Sequence, residues 1–402
     1  MNILFLSRWL PYPPENGSKI RIFNLLRQLS SQHEISLLAF QDRPRTATGP
    51  VAAEALGRVC RSVRIIPYRP FRPDSVRAWS GFLSPQPRSL VDTYSPAMAQ
   101  AVDEALNRTR YDLVIASQLD MIPYAASIRG LPLLFEEIEL STYWDAVHRS
   151  DRPIHRARAL LTWIKLCRYL RTTLPTASAC TVVSARERAL VQRAVPGYGP
   201  VEVIPNAVDL RDLTGDFGPP TPDTLIFTGA LTYSPNYDAM RYFLERIYPR
   251  ILAAAPGLRL RITGRTDGVD LTPLARWPGV ELTGYLADVR PLVARSWVSV
   301  VPIRLGGGTR LKILESLALG TPVVSTPKGA EGLEVTDGRD ILLADTAELF
   351  ARQVVELLRS SDRRRELSAA GRRLIAEKYD WRVIGQRLNA LVRDIAGGRV
   401  CR

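Results

Sequence analysis

The chain has 402 residues, 46% hydrophobic and 23% charged, with a formal net charge of +14. That length fits two domains of about 200 residues, each with its own core, and the composition excludes a disordered chain. The four cysteines (Cys60, Cys167, Cys180, Cys401) and three histidines (His33, His148, His155) show no metal-ligand spacing, so no metal site is predicted and a reducing cytosol suits the scattered thiols.

Residues 3–6 read as a buried strand. The opening is too short for a signal peptide, and Pro11, Pro13 and Pro14 follow it. No stretch reaches the ~18 apolar residues of a membrane span, so a cytoplasmic chain is expected. The loop after the strand carries Arg8. It ends in Gly17, Ser18 and Lys19, ahead of an amphipathic helix bearing Ile22, Leu25, Leu26 and Leu29. Arg8, Gly17 and Lys19 are candidate ligand-loop residues; a plain proline-rich connection is the alternative. Residues 35–40 and 63–66 are the second and third strands, with a loop and helix between. Residues 67–95 read as a long irregular stretch rich in Pro, Arg and aromatics (Tyr68, Phe71, Trp79, Phe82). Such stretches carry function or mobility. Aromatics among arginines suit a membrane surface or an acceptor site, or a segment packed over its domain.

A helix over 97–107 and strands over 113–116 and 131–135 follow. The last runs into Glu136, Glu137 and Glu139. Acidic residues at the C-terminal end of a parallel strand sit where α/β folds hold ligands, so one of the three could face a bound ligand, or one could cap a helix. Residues 148–171 form a helix that is basic and apolar together. Arg149, Arg152, Arg156, Arg158, Lys165, Arg168 and Arg171 alternate with Leu160, Leu161, Trp163, Ile164 and Leu170. It suits either an anionic membrane surface or a core with an arginine-rich outer face. Arginine supplies nearly all the positive charge, through genome composition or attraction to anions. Nucleic acid is not predicted as a partner, because no recognised module accompanies the charge. A strand over 179–183 and a helix opened by Ser184 lead to Pro205-Asn206-Ala207-Val208-Asp209. The Pro- and Gly-rich run 215–223 reads as a linker.

A second α/β series begins at 225–228. Gly229 ends its first strand, and Gly264-Arg265 ends the strand over 258–263. The strand over 297–303 feeds Gly306-Gly307-Gly308-Thr309-Arg310-Leu311-Lys312-Ile313-Leu314-Glu315, then Gly320-Thr321-Pro322. Strand, glycine loop and helix predict an anion site, because free amides and the helix dipole favour negative charge. Thr309 is the expected N-cap. Gly320 ends the helix and Pro322 prevents its restart. Arg310 and Lys312 add two cations, and Glu315 could accept bonds from a diol such as ribose. The segment is not a P-loop, since the Gly-Lys-Ser/Thr ending is absent. Lys328 to Gly332 follows the next strand and is placed to close the pocket.

The run from Gly308 through Glu315, with Gly320-Thr321-Pro322-Val323-Val324, resembles the donor-site segment of retaining glycosyltransferases of group 1 (family four), two-domain enzymes of the GT-B architecture. Residues 205–209 resemble the family's interdomain Pro-Asn-Gly-Val-Asp, with Ala207 in the glycine position. The resemblance implies that Glu315 holds the nucleotide ribose and that the first loop lines the cleft. It also implies that acidic residues after Phe135 face the reaction centre and that 280–285 helps bind the base. The family's first glutamate would fall at Gly307, and its usual arginine and lysine near 230 and 236 are replaced by Ala230 and Asn236. Arg310 and Lys312 are expected to supply that charge instead.

The expected fold is therefore α/β, with two Rossmann-like domains facing each other across a cleft. Residues 1–205 form the acceptor side, 206–380 the nucleotide-sugar donor domain, and 381–402 a helix crossing back. The expected function is transfer of a sugar from a nucleotide-sugar donor to a glycan, lipid-linked or small-molecule acceptor, with retention. Arg310, Lys312, Glu137 and Glu139 are the candidate catalytic residues. Gly229, Gly264, Arg265, Gly306, Gly307, Gly308, Thr309 and Glu315 are candidates for donor binding. No cofactor or metal is expected, because the cations and the helix end supply the charge; the membrane would be a peripheral partner at its inner face. An epimerase or phosphorylase of the same architecture, and a noncatalytic nucleotide-sugar-binding protein, are the alternatives. A dinucleotide dehydrogenase is disfavoured, since no GxGxxG follows the first strand.

Overall fold

The structure is a computed structural model and describes residues 1–41, 50–149 and 152–399. Cys401, the 42–49 part of the second connection and the Arg149 side chain lie outside the described residues. The chain divides into two compact units, one of Met1–Pro205 with Ile384–Arg402 and one of Asn206–Val383.

The first unit is a seven-stranded parallel sheet in the order β3-β2-β1-β4-β5-β6-β7. Its strands are β1 Asn2–Ser7, β2 Glu34–Gln41, β3 Ser62–Pro67, β4 Leu113–Ser117, β5 Leu133–Glu136, β6 Ala179–Val182 and β7 Val201–Val203. Ile3, Leu4, Phe5 and Leu6 are all fully buried. An unbroken apolar run of that kind is what a central parallel strand needs, because helices cover both faces. The order reverses direction between β1 and β4, so a crevice opens at the C-terminal ends of those strands. The helix Gly17–Leu29 returns from β1. Its N-cap is Asn16, whose side chain accepts from Lys19 N, and Gly17 is already its first residue. The last helix lies against this one within the unit, where Asn389 Nδ2 donates to Gln28 O at 3.1 Å.

The second unit repeats the plan with six parallel strands in the order β10-β9-β8-β11-β12-β13. These are β8 Thr221–Thr228, β9 Arg259–Thr263, β10 Val280–Gly284, β11 Ser296–Val301, β12 Val323–Ser325 and β13 Leu342–Leu343. Here the reversal falls between β8 and β11, so the loops after those two strands line the crevice. Phe227, Val300, Leu314 and Phe350 are among the buried residues of its core.

Three expectations need correction. The 215–223 run is not a linker: it lies within the second unit, and Thr221 already pairs with Ser296 of β11. The 67–95 stretch is not wholly irregular, since it holds the short helices Val76–Ser80 and Arg88–Thr93. Asp92 organises it, accepting from Arg72 N at 2.8 Å and from Ser75 Oγ at 2.5 Å. The basic segment 148–171 is not one helix. Ser141–Arg149 ends before a second helix, Pro153–Thr173, begins with proline at its first position, where the missing N–H costs nothing.

Candidate active site

In the second unit the donor candidates meet at the end of the sheet where β8 and β11 part. Gly264 shows how tightly the strand ends pack. Its φ is +127°, and a Cβ there would lie 2.4 Å from Gly229 O and 2.7 Å from Ala230 N. Only glycine fits without displacing that backbone. Gly264→Ala should lower stability by at least about 2 kcal/mol, because positive-φ strain and overpacking each cost roughly 1–3 kcal/mol. A thermal melt reads this directly, and an unchanged melting temperature would mean that the two turns are not packed this way.

Lys312 lies in the first turn of the helix Leu311–Leu319. Its Nζ is 3.0 Å from Asn236 Oδ1 and 3.9 Å from the centre of the Phe227 ring. Asn236 is fixed in turn, its Nδ2 donating to Ala230 O at 2.9 Å. Burial, and then the Arg310 charge, hold the Lys312 ammonium down to about 7, with Glu315 opposing them. Glu315 is half-buried one turn further along the helix. Burial raises its carboxyl above the ordinary range, and Lys312 opposes that shift.

The glycine loop is shaped by Arg310. Its guanidinium turns back to donate to Gly307 O at 2.5 Å, Gly306 O at 2.9 Å and Leu305 O at 3.2 Å. Gly306 and Gly308 have φ of +87° and +80°, and the space beside Gly306 is taken by the Tyr233 hydroxyl. Thr309 is not the N-cap. The cap position is Arg310, without a side-chain cap bond, and the buried Thr309 hydroxyl has no hydrogen-bond partner among the described residues. Leu311 N instead bonds back to Thr309 O, so the loop tightens one residue later than the hydroxyl spacing implies. Gly320 ends the helix as expected, at φ +80° with its N–H on Leu317 O and Thr321 N on Ser316 O. Arg265 lies over the Tyr285 ring at 5.3 Å, and Lys328 is paired with Glu331.

The first unit carries its own pocket, about 370 Å³, at the ends of β1, β4 and β5. Arg8, Tyr68, Gln118, Asp120, Glu137 and Glu139 are among its walls. Arg8 is buried, its guanidinium 3.3 Å from the Tyr68 ring centre and 4.4 Å from that of Trp9. Glu137 and Gln118 are both left-handed, with φ of +56° and +75°, and Gln118 Nε2 donates to Glu137 Oε2 at 2.8 Å. Two such residues side by side at strand ends are costly unless the site uses them. Burial raises the Glu137 carboxyl well above the ordinary range, against the pull of Arg21.

Glu136 is removed from the acceptor candidates. Arg21 Nε and an Arg21 terminal nitrogen donate to Glu136 Oε1 at 2.8 and 2.6 Å, and Ser117 Oγ donates to Oε2 at 2.6 Å. It faces the core, whereas Glu137 and Glu139 face the pocket. The structure brings Arg8 to those two. It does not bring Gly17 or Lys19 into the walls of that pocket: Lys19 pairs with Glu15 at 3.2 Å, and a Cβ on Gly17 would meet nothing within 4 Å. Gln118, Asp120, Tyr68 and Arg21 carry no motif, and only the topology assembles them. A roomier cavity, about 820 Å³, includes Arg110, Asp112 and Pro132 in its walls. Those residues precede β4 and β5, at the end of the sheet away from this chemistry.

Comparison with known proteins fits this arrangement. Residues 222–360 match the family model described as "Glycosyl transferases group 1", and residues 16–212 match "Glycosyltransferase Family 4". The chain belongs to the group 1 glycosyltransferases. Like solved members of the GT-B architecture, this group 1 chain has two parallel α/β sheets. HepE from Anabaena, solved with UDP and glucose, superposes with a TM-score of 0.67 at 15% identity, covering 98% of this chain and 100% of that one. Sucrose-phosphate synthase from Thermosynechococcus elongatus gives 0.70 at 16% identity, covering 99% and 100%. Among sequence relatives, a phosphatidyl-myo-inositol mannosyltransferase of Propionibacterium freudenreichii is 26% identical over 61% of this chain and 65% of its own length. An uncharacterized 44.6 kDa protein in the cps region of Klebsiella pneumoniae is 23% identical over 39% and 42%. This group 1 chain thus spans less than two thirds of the length of either relative.

Proposed function

We propose that the chain transfers a sugar from a nucleotide-sugar donor to a hydroxyl acceptor, with retention at the anomeric carbon. The observation that carries this is the setting of Lys312. Its ammonium is held by a neutral amide and a ring face at the point where the second sheet reverses. The cation is poised for an anion, and the leaving diphosphate of a nucleotide sugar supplies one. Charge developing on that diphosphate meets Lys312, Arg310 and the helix mouth, and such preorganised groups act most strongly in a partly dry site. Glu315 takes the ribose diol. No metal or cofactor takes part.

The acceptor hydroxyl binds in the Arg8 pocket, where Glu137 and Glu139 orient it. With its carboxyl raised by burial, Glu137 keeps its proton to higher pH than an exposed glutamate, and once ionised it is the stronger base. The HepE structures hold UDP, while a Corynebacterium glutamicum relative is named as GDP-mannose-dependent. Both bases therefore belong in the first assay. Incubation with UDP- and GDP-sugars and a lipid-linked or glycan acceptor should release nucleoside diphosphate and give a product of unchanged anomeric configuration by NMR. Nucleotide binding without turnover on any donor would reject the enzyme.

A pH dependence follows. The free Lys312 ammonium titrates near 7, and a bound phosphate raises that value. Nucleoside diphosphate affinity should fall as pH rises above 7, by up to about tenfold per unit for one linked proton. Lys312→Arg should flatten the profile between pH 6 and 8. A flat wild-type profile would contradict the role given to Lys312.

A further inference from the structure

The helix Pro153–Thr173 has two apolar faces. Trp163, Leu166, Tyr169 and Leu170 face the core. Ile154, Ala157, Leu161 and Ile164, at spacings of three, four and three, make a second stripe that is exposed. Ile154 is 74% exposed. The helix also carries Arg156, Arg158, Lys165, Arg168 and Arg171, and no acidic residue.

Beside it stands the Val76–Ser80 helix with its following turn, where Val76 is 85%, Trp79 62% and Leu83 94% exposed. The two elements are joined. Lys165 Nζ donates to Gly81 O at 2.9 Å and to Phe82 O at 2.7 Å. Phe71, Phe82 and Leu161 line one cavity of about 360 Å³ between them. Arg88 packs over the Phe82 ring at 3.9 Å. Exposed large side chains concentrated on one face of a chain mark a docking surface.

We propose that this face, 76–83 with the outer stripe of 154–164, rests on an anionic lipid bilayer. The apolar side chains enter the acyl boundary and the arginines meet the headgroups, as on an interfacial amphipathic helix. Charge selects this occupant over a second copy of the chain: a two-fold contact would set one acid-free cationic helix against another. The patch adjoins the Arg8 pocket, because Tyr143 lines both cavities. Docking is a binding property and stands whether or not the donor reading above holds.

The test is flotation of the full chain with vesicles of 30% phosphatidylglycerol in phosphatidylcholine. The wild type should float with these, stay behind with pure phosphatidylcholine, and be released by 0.5 M NaCl. Leu83→Ser combined with Ile164→Ser should weaken partitioning at least tenfold, with an unchanged thermal melt because both side chains are exposed. Brominated lipid should quench a share of the tryptophan emission that Trp79→Phe removes, a readout that leaves the fold untouched. Absence of wild-type flotation, equal flotation of the double variant, or equal binding to neutral vesicles overturns the proposal. So does a dimer, seen by ultracentrifugation, that the same two substitutions dissolve.

Discussion

Lys312→Ala is expected to weaken nucleoside diphosphate binding by two to three orders of magnitude while leaving the fold intact. Among the described residues Lys312 makes one hydrogen bond, to Asn236, and one ring contact, to Phe227. Neither is a carboxylate pair, so its loss strands no buried charge of opposite sign at bonding distance. Truncating one partner of a buried, hydrogen-bonded charge pair in a complex typically costs about 2–5 kcal/mol, a range that spans two to three orders of magnitude in affinity. Asn236→Ala tests how the cation is held. It frees the ammonium without removing it, so the expected loss is smaller, about tenfold. Equal losses from both substitutions would mean that Asn236 touches the donor itself. Arg310 should behave differently from Lys312. Its three carbonyl bonds make it the brace of the glycine loop, so Arg310→Ala should weaken donor binding and also loosen the loop, which hydrogen exchange at residues 305–309 would report.

The second large effect lies in the other unit and concerns stability. Arg21→Met should destabilise the first unit by about 3–5 kcal/mol, the usual cost of leaving one member of a buried ion pair uncompensated. The Arg21 side chain is fully buried, bonded to Glu136 and, at 2.9 Å, to Ile204 O. Without it the Glu136 carboxylate keeps, among the described residues, the bond from Ser117 Oγ. Arg21→Met with Glu136→Leu should recover much of the loss, because two apolar groups leave no stranded charge. Urea unfolding of the two variants checks this. A double variant as unstable as the single one would mean that the bond to Ile204 O, and not the ion pair, carries the stability. The same substitution bears on the pocket: Arg21 Nε lies 3.7 Å from Glu137 Oε1, and removing that cation should raise the Glu137 carboxyl further.

The scaffold was readable because its signals are local. Unbroken apolar runs such as Ile3–Leu6 have only one use in an α/β chain, and Gly320-Thr-Pro322 spells a helix end whatever surrounds it. The helix after the glycine loop was readable for the same reason. Its start was not, because Thr309 has the chemistry of a cap while Arg310, bonding backwards to three carbonyls, decides where the first turn begins. Arg21 was invisible: an arginine between Ile20 and Ile22 has the look of a surface residue until β5 delivers Glu136 beside it. Gln118 was invisible for a related reason, and Asn236 was legible only as the absence of a family cation, not as the partner of Lys312. One depends on a left-handed turn that no local motif predicts. The other matters only because Lys312 arrives from 76 positions away.

The central claim is that a nucleoside diphosphate binds at Lys312, at the mouth of the Leu311–Leu319 helix. Calorimetric titration of UDP and GDP into the wild type, Lys312→Ala and Glu315→Ala at pH 7 tests it most directly. One nucleotide should bind the wild type tightly, lose two to three orders of magnitude with Lys312→Ala, and lose less with Glu315→Ala. Identical isotherms for all three proteins would place the nucleotide elsewhere and end the account.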